Sequence, residues 1–277
     1  MYIDEGYLKR EKLFDLYEKA LQAPQSHLTL KTVQDIARSY AGLKEKYQRK
    51  AQELGNHIST FDAVHSTHTR IKSTASLIGK VLRKTIEGRS ITPDNYKLEI
   101  TDLIGIRALH VFKSDYVKVH EQVFSTFRNM LVENVHINLR IGDSEEIYQG
   151  VHDPVINRNQ DYRSIHYLIK PFDDDDAKAE IQVRTIFEEG WSEINHTLLY
   201  KKEQSPHHLL LKNASLILSA LSGDCDTLGE LMRKIADFSA PGDSPSGREQ
   251  GSGSILPHGG DAGKTLVDIM EEYLTKK

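Results

Sequence analysis

One cysteine, Cys225, occurs in 277 residues, so neither an intramolecular disulfide nor a cysteine-built zinc cage can hold the chain together. No apolar run approaches the roughly 20 residues needed to cross a bilayer, and the opening MYIDEGYLKREK alternates acids with bases where a secretory signal would be apolar. The expectation is a soluble, cytoplasmic protein without a membrane partner. An excess of positive charge is also missing. Thirty-six Lys and Arg stand against 40 Asp and Glu, formally −4, which argues against a protein that coats DNA or other long nucleic acid. Any anion site must therefore be local. The hydrophobic share of 38% and charged share of 27% are those of a folded globular chain.

Helical spacing dominates the first quarter. Leu13, Leu16, Tyr17, Ala20 and Leu21 recur at that period from residue 7 onward, with Pro24 as a stop. Val33, Ile36, Ala37, Tyr40, Tyr47, Ala51 and Leu54 form a second stripe, with Thr32 as its expected N-cap and Gly55 as its terminator. The period changes after Asp102. Residues 106–112 read as a strand feeding a helix that carries Val119, Val123, Phe127 and Met130. Residues 164–172 and 178–185 read as an antiparallel hairpin whose tip, 173–176, is four aspartates. Without the spacing of a calcium loop, that tip is expected to be solvated. On the second hairpin strand Ile181 and Val183 face one way, and Glu180, Gln182 and Arg184 face the other.

The following helix is expected to bury Phe187, Trp191, Ile194 and Leu198, leaving Glu193, His196 and Tyr200 together on an adjacent face. Residues 205–239 are expected to be helical, with 209–211, 216–218, Leu228 and Leu231 as apolar contacts. Between 240 and 263, seven Gly, four Ser and three Pro occupy fourteen of 24 positions, too little apolar content to pack. The expected organisation is an N-terminal helical region (1–65), a core (66–204), C-terminal helices (205–239), a flexible linker (240–263) and a terminal amphipathic helix (264–277) carrying Leu266, Ile269, Met270 and Leu274.

Three motifs are set aside. Gly263-Lys264-Thr265 lacks the upstream Gly and the strand of a phosphate-binding loop, since His258 stands where that Gly belongs. His152-Asp153 has no further His and Asp set around it, and His65 with His68, taken as one helical face, has no third metal ligand. Two features are kept. Between residues 66 and 90 six bases, Arg70, Lys72, Lys80, Arg83, Lys84 and Arg89, meet one acid, Glu87. Lys80, Arg83 and Lys84 stack at i, i+3 and i+4, and a polyanion such as a triphosphate relieves their repulsion. Asp102 and Glu180 border separate strands. If the fold joins those strand ends, the two carboxylates suit Mg²⁺, and one can act on a hydroxyl; the competing reading is two ordinary surface acids.

The ordered set Arg70-Ile-Lys72-Ser73, Lys80, Arg83, Lys84, Asp102-Leu-Ile-Gly105-Ile-Arg107, Tyr162-Arg-Ser-Ile-His166, Glu180-Ile-Gln182-Val-Arg184-Thr185, Trp191, His196 and Tyr200-Lys201 resembles the synthetase domain of RelA/SpoT homologues, the alarmone synthetases. It spans nearly half the chain, and the expectation is a protein of the small-synthetase kind, without the hydrolase and regulatory domains of the long enzymes. The resemblance implies an α/β (α+β) fold: a nucleotidyltransferase-like mixed β-sheet flanked by helices, here with helical N- and C-terminal extensions. It also implies transfer of the β,γ-pyrophosphate of ATP to the ribose 3′-hydroxyl of GDP or GTP, with Mg²⁺ as cofactor. By the same resemblance, Arg70, Lys72, Ser73, Lys80, Arg83 and Lys84 bind ATP, Asp102 and Glu180 carry the metal, and Glu180 is the base. Tyr162 stacks on the acceptor base, with Arg107, Gln182, Arg184, His196 and Lys201 around the acceptor.

Asp161 departs from the family pattern, which has Gly before this Tyr, and places acceptor choice in question. Toxic relatives that modify the 3′ end of tRNA or use adenosine acceptors are the alternative, with an antitoxin or a homo-oligomer as a partner left open. An inactive nucleotide-binding regulator is a third reading, against which the presence of both Asp102 and Glu180 argues.

Overall fold

The computed structural model describes residues 11–23, 27–200 and 207–237. The start of the first expected helix, Pro24, Lys201, the linker and the terminal helix lie outside the described residues. Helix α1 (Glu11–Leu21) precedes α2 (Leu30–Ile58). Thr29, not Thr32, caps α2: its hydroxyl accepts from the Thr32 N–H at 3.1 Å. Nor does Gly55 end this helix. A Cβ there would sit 2.3 Å from Thr69 Cγ2, so the glycine marks the place where α2 presses on a neighbouring strand.

That strand is β1 (Ser66–Ile71), followed by α3 (Thr74–Ile86), the single turn α4 (Tyr96–Glu99) and β2 (Ile104–His110). Next come α5 (Tyr116–Phe127), β3 (His136–Arg140), β4 (Val155–Asn159), β5 (Ser164–Ile169), β6 (Ala179–Thr185), α6 (Ile186–Asn195) with a π turn over His196–Tyr200, and α7 (His208–Ala236). The six strands form one mixed sheet in the order β1-β2-β6-β5-β3-β4. β2 runs parallel to β6 and β3 to β4, and the other pairs are antiparallel. The mixed sheet flanked by helices is the architecture expected from the sequence, and β5 with β6 is the expected hairpin.

Three strands carried no clear signal. β1 is an edge strand of sequence STHTRI, only partly buried, so its apolar content is too low to show a period of two. His68 therefore lies in a strand opposite Arg107, and the helical face it was to share with His65 does not exist. β3 and β4 are five residues each, too short for a periodic pattern.

The core joins α2 to the sheet through Ile36, Tyr40, Tyr47, Ile106, Ile181 and Val183, all fully buried. Tyr40 Oη donates to the Lys72 carbonyl at 2.6 Å, fixing α2 against the β1–α3 junction. The aspartate tip is only partly solvated. Asp174 is exposed, but Asp175 is 4% exposed at its side chain, paired with Lys97 at 3.2 Å and Lys46 at 3.5 Å, and accepts from Tyr47 Oη at 3.3 Å.

The two C-terminal helices turn the opposite way from the apolar pattern. In α6 Trp191 is buried as expected, but Phe187, Ile194 and Leu198 are exposed. The second inward residue is Glu188, which accepts from Thr185 N in a capping box. In α7 the buried residues are Ser215, Ser219, Ser222 and Asp226. Of the expected apolar contacts, Leu209, Leu210, Ile217 and Leu228 face outward, and Leu211, Leu216, Leu218 and Leu231 are half-buried. The cause lies in the body that α7 covers, where buried Arg163 and Thr185 need polar partners. None of the described helices is long and apolar enough to cross a membrane.

Candidate functional site

Parallel pairing of β2 with β6 sets Gly105 opposite Glu180 and Arg107 opposite Gln182. The two strand segments expected to carry the chemistry, 75 residues apart in sequence at these pairs, thus become neighbours. Gly105 has no Cβ, and the Arg70 side chain lies in that space: a Cβ would meet Arg70 Cγ and Nε at 3.2 Å. Lys72 follows β1 directly. Ser73 caps α3, accepting from Ser76 N at 3.1 Å while donating to Ser76 Oγ. The expected ligand Ser73 thus spends its hydroxyl on the helix.

A cavity of about 470 Å³ gathers Arg70, Lys72, Lys80, Arg83 and Lys84 with Arg107 and Arg184, seven bases against the two acids Glu87 and Asp102. Tyr162, Gln182 and His196 line the same space, together with Ser76 and Ser192, which sequence reading had not singled out. Their lone hydroxyls carry no pattern a sequence could reveal. A second cavity of about 430 Å³ shares Arg70 and Arg107, and adds His68, Thr69, Glu189 and Glu193. Arg107 therefore stands between the two spaces, held to Glu189 at 2.6 Å and to Glu193.

Asp102 is gripped by Lys72 at 2.5 Å and Lys80 at 2.8 Å. Burial pushes its carboxyl up, but the two ammonium groups outweigh that and hold it below the usual range. Lys72 is pulled below its ordinary value by burial, despite Asp102. Glu180, 19% exposed at its side chain, meets His166 Nδ1 at 3.0 Å and accepts from Gln182 Nε2 at 2.7 Å. Burial again raises its carboxyl, and the contacts to His166 and Gln182 bring it below the ordinary value. Both acids are therefore ionised at neutral pH and close enough to oppose each other's charge.

The face of β6 forms a polar ladder. Arg184 donates to Gln182 Oε1 at 2.8 Å and to Tyr162 Oη at 2.7 Å, and its guanidinium carbon lies 5.2 Å from the Tyr162 ring centre. Tyr162 Oη also meets His166 Nε2 at 2.9 Å. Asp161 causes no backbone strain, because among the described non-glycine residues only Asp153 has a positive φ. Arg184 is 3% exposed, and at the edge of the cavity it holds the Tyr162 hydroxyl.

The donor set fits Mg²⁺: two ionised carboxylates supply hard oxygen ligands, and this ion takes one or two carboxylates together with substrate phosphates. Among the described residues no cluster of three or more ligating side chains exists. Protein groups alone make an incomplete cage, which phosphates would complete.

A family model described as a region found in RelA / SpoT proteins matches residues 69–205. The GTP pyrophosphokinase YwaC of Bacillus subtilis (strain 168) is 31% identical over 164 residues, which is 57% of this chain and 69% of YwaC. The crystal structure of small alarmone synthetase 1 from Bacillus subtilis superposes with a TM-score of 0.50 at 19% identity, covering 72% of this chain and 98% of that one. A structure of that synthetase bound to its product pppGpp gives a TM-score of 0.49, also at 19% identity, over 69% and 95% of the two chains.

Proposed function

The chain belongs to the RelA/SpoT family, and from that premise we propose that it is a GTP pyrophosphokinase, an alarmone synthetase that moves the β,γ-pyrophosphate of ATP to the ribose 3′-hydroxyl of GDP or GTP. The observation that carries this reading is the basic cavity in which seven bases line the same space as Asp102 and Tyr162. Such a charge excess inside a chain of net charge −4 suits a polyphosphate.

Arg70, Lys72, Lys80, Arg83 and Lys84 hold the donor phosphates. Asp102 and Glu180 would hold Mg²⁺ together with phosphate oxygens, and the bound ion supplies charge neutralisation at the transferred group. Tyr162 stacks on the acceptor guanine, and Gln182 and His196 border the same space. In the transfer the acceptor 3′-oxygen bonds to the β-phosphorus, the bond from that phosphorus to the α,β-bridging oxygen breaks, and AMP leaves with that oxygen. The hydroxyl proton passes to Glu180. His166 and Gln182 fix the carboxylate for that step. A carboxylate held below its ordinary pKa is a weak base, so most of the acceleration comes from positioning and charge stabilisation.

The tRNA alternative needs a second basic surface for the acceptor stem. Of the four bases that cluster on α2, Lys44, Lys46, Arg49 and Lys50, three are matched by acids: Lys46 pairs with Asp174 and Asp175, Arg49 with Glu45, and Lys50 with Glu53, while Lys44 lies over the Tyr40 ring. Free guanine nucleotides are therefore the preferred acceptors. We place the reaction in the cytoplasm, where these nucleotides are. The deciding experiment incubates the protein with γ-labelled ATP, Mg²⁺ and, separately, GDP, GTP, an adenosine nucleotide or deacylated tRNA. Label on the guanine nucleotides is the expected result. Label only on tRNA overturns the choice of acceptor.

A further inference from the structure

Tyr162 is bracketed by a single residue of α7. Ser219 Oγ donates to the carbonyl of Asp161 at 2.5 Å, and the Arg163 guanidinium donates to Ser219 O at 2.8 Å and Oγ at 3.2 Å. The residues on both sides of Tyr162 are thus tied to one point, which is 0% exposed. The other side of the Arg163 guanidinium is taken by Asp143, at 2.6 and 3.1 Å. One turn beyond Ser219, Gly223 makes the room: a Cβ there would stand 2.8 Å from Arg163 Nη2 and 3.1 Å from Cζ. A turn before Ser219, the carbonyl of Ser215 accepts from Trp191 Nε1 at 2.9 Å. The Trp191 ring lies 6.3 Å from the Tyr162 ring.

Helix α7 lies beyond the region matched by the family model, which ends at residue 205. No residue of α7 lines the basic cavity. Its Ser215 and Ser219 reach Trp191 and the two neighbours of Tyr162, while Asp226, Glu230 and Arg233 tie it to Thr185, Ser114 and Asp115, and none of these contacts involves a donor-side cation.

We propose that Ser219, Gly223 and Arg163 are positioning residues for the acceptor, through which α7 sets the placement of the Tyr162 ring and hence acceptor affinity without altering the donor site. This rests on the reading of Tyr162 as the acceptor-stacking residue. A Tyr ring contributes to stacking only when its plane is held before the base arrives, because otherwise its ordering costs binding energy. The Ser219 bracket supplies that order from a helix packed outside the sheet.

The test measures KM for GDP and for ATP separately, with kcat and the melting temperature, in Ser219→Ala, Gly223→Ala and Tyr162→Ala, and in the double variant Ser219→Ala/Tyr162→Ala. The expected result is a rise of about tenfold in KM for GDP on Ser219→Ala, the scale of one lost buried hydrogen bond, and a comparable rise on Gly223→Ala. KM for ATP stays within about twofold. In the Tyr162→Ala background the Ser219 change adds nothing to KM for GDP, because coupled residues are not additive. If Ser219→Ala and Gly223→Ala lower only the melting temperature, or if the Ser219 effect persists undiminished without the Tyr162 ring, α7 is structural and the proposal falls. If Tyr162→Ala itself leaves KM for GDP unchanged, the reading of Tyr162 has failed instead, and the bracket loses its object. The milder variant Asp143→Asn, which weakens the far side of the Arg163 clamp, gives a smaller shift in the same direction and covers the case in which Gly223→Ala does not fold.

Discussion

Glu180 and Tyr162 are the two side chains to which the proposed reaction gives the base and the stacking role, and each is held by partners that make its replacement informative. Glu180→Gln preserves shape and the contact with Gln182 while deleting the charge and the proton acceptor. Turnover should fall about 10²- to 10⁴-fold, roughly 3 to 5 kcal/mol in the barrier, with the circular dichroism spectrum unchanged. Retention of more than about a tenth of the turnover would remove Glu180 from the base role. Tyr162 has its hydroxyl engaged by Arg184 and His166 and one region of its ring beneath the Arg184 guanidinium. Tyr162→Ala should weaken acceptor use by about 1 to 3 kcal/mol, the worth of one stacking contact, and Tyr162→Phe should recover most of it. A fall in ATP affinity instead, read by calorimetry with a non-hydrolysable donor, would move Tyr162 to the donor side.

At the level of elements, the contacts that set helix positions are small and specific. Gly55 lets α2 close on β1, so Gly55→Ala should destabilise the protein by about 1 to 3 kcal/mol through overpacking against Thr69. Adding Thr69→Ser, which removes the clashing methyl, should restore most of that loss in urea denaturation. A cost that Thr69→Ser leaves unchanged would place the strain elsewhere. Helix α7 carries a second lever. Asp226 is 2% exposed and its Oδ2 accepts from Thr185 Oγ1 at 3.1 Å, while Oδ1 has no partner. Burial, and then the neighbouring charge of Glu188, push its carboxyl up to about 7. Here the folded state binds the proton more tightly than the unfolded chain, so stability falls as pH rises from about 4 toward 7, with a slope of at most about 1.4 kcal/mol per pH unit. Asp226→Asn should remove that slope. Its melting temperature should exceed that of the wild type at pH 8, with the gap closing toward pH 5. An equal gap at both pH values would show that Asp226 does not titrate in this range.

For the whole molecule, a net charge of −4 coexists with a strongly basic cavity, because acids outnumber bases in the rest of the chain. Arg49 and Glu45, 2.8 Å apart on the exposed side of α2, form a matched pair, and such surface pairs are worth under about 1 kcal/mol. Arg49→Glu should therefore leave turnover with GDP within about twofold and produce no change with tRNA. A large loss would show that the α2 face touches a substrate. Lys46 is a different case, since it pairs with the buried Asp175, and its reversal should lower stability before it affects catalysis.

How much of this was legible in the chain differs by residue. The alternation of Glu180, Gln182 and Arg184 against Ile181 and Val183 is local, and it correctly named a strand with one chemical face. The cation stack of Lys80, Arg83 and Lys84 is equally local, and it reaches the cavity as its spacing implies. The inward faces of α6 and α7 were not legible. There Phe187, Ile194, Leu209, Leu210, Ile217 and Leu228 are exposed and Glu188, Ser219 and Asp226 point in, because helix orientation answered the demand of buried Arg163 and Thr185 for polar partners. Nor could the sequence show that both oxygens of Asp102 are held by Lys72 and Lys80, or that Ser219 holds the neighbours of Tyr162 across 56 residues or more. Periodicity and charge spacing act within a few residues and are written into the chain itself. Which charges meet, and which hydroxyl satisfies a buried guanidinium, depends on strand order and helix packing, which exist only after the chain has closed on itself.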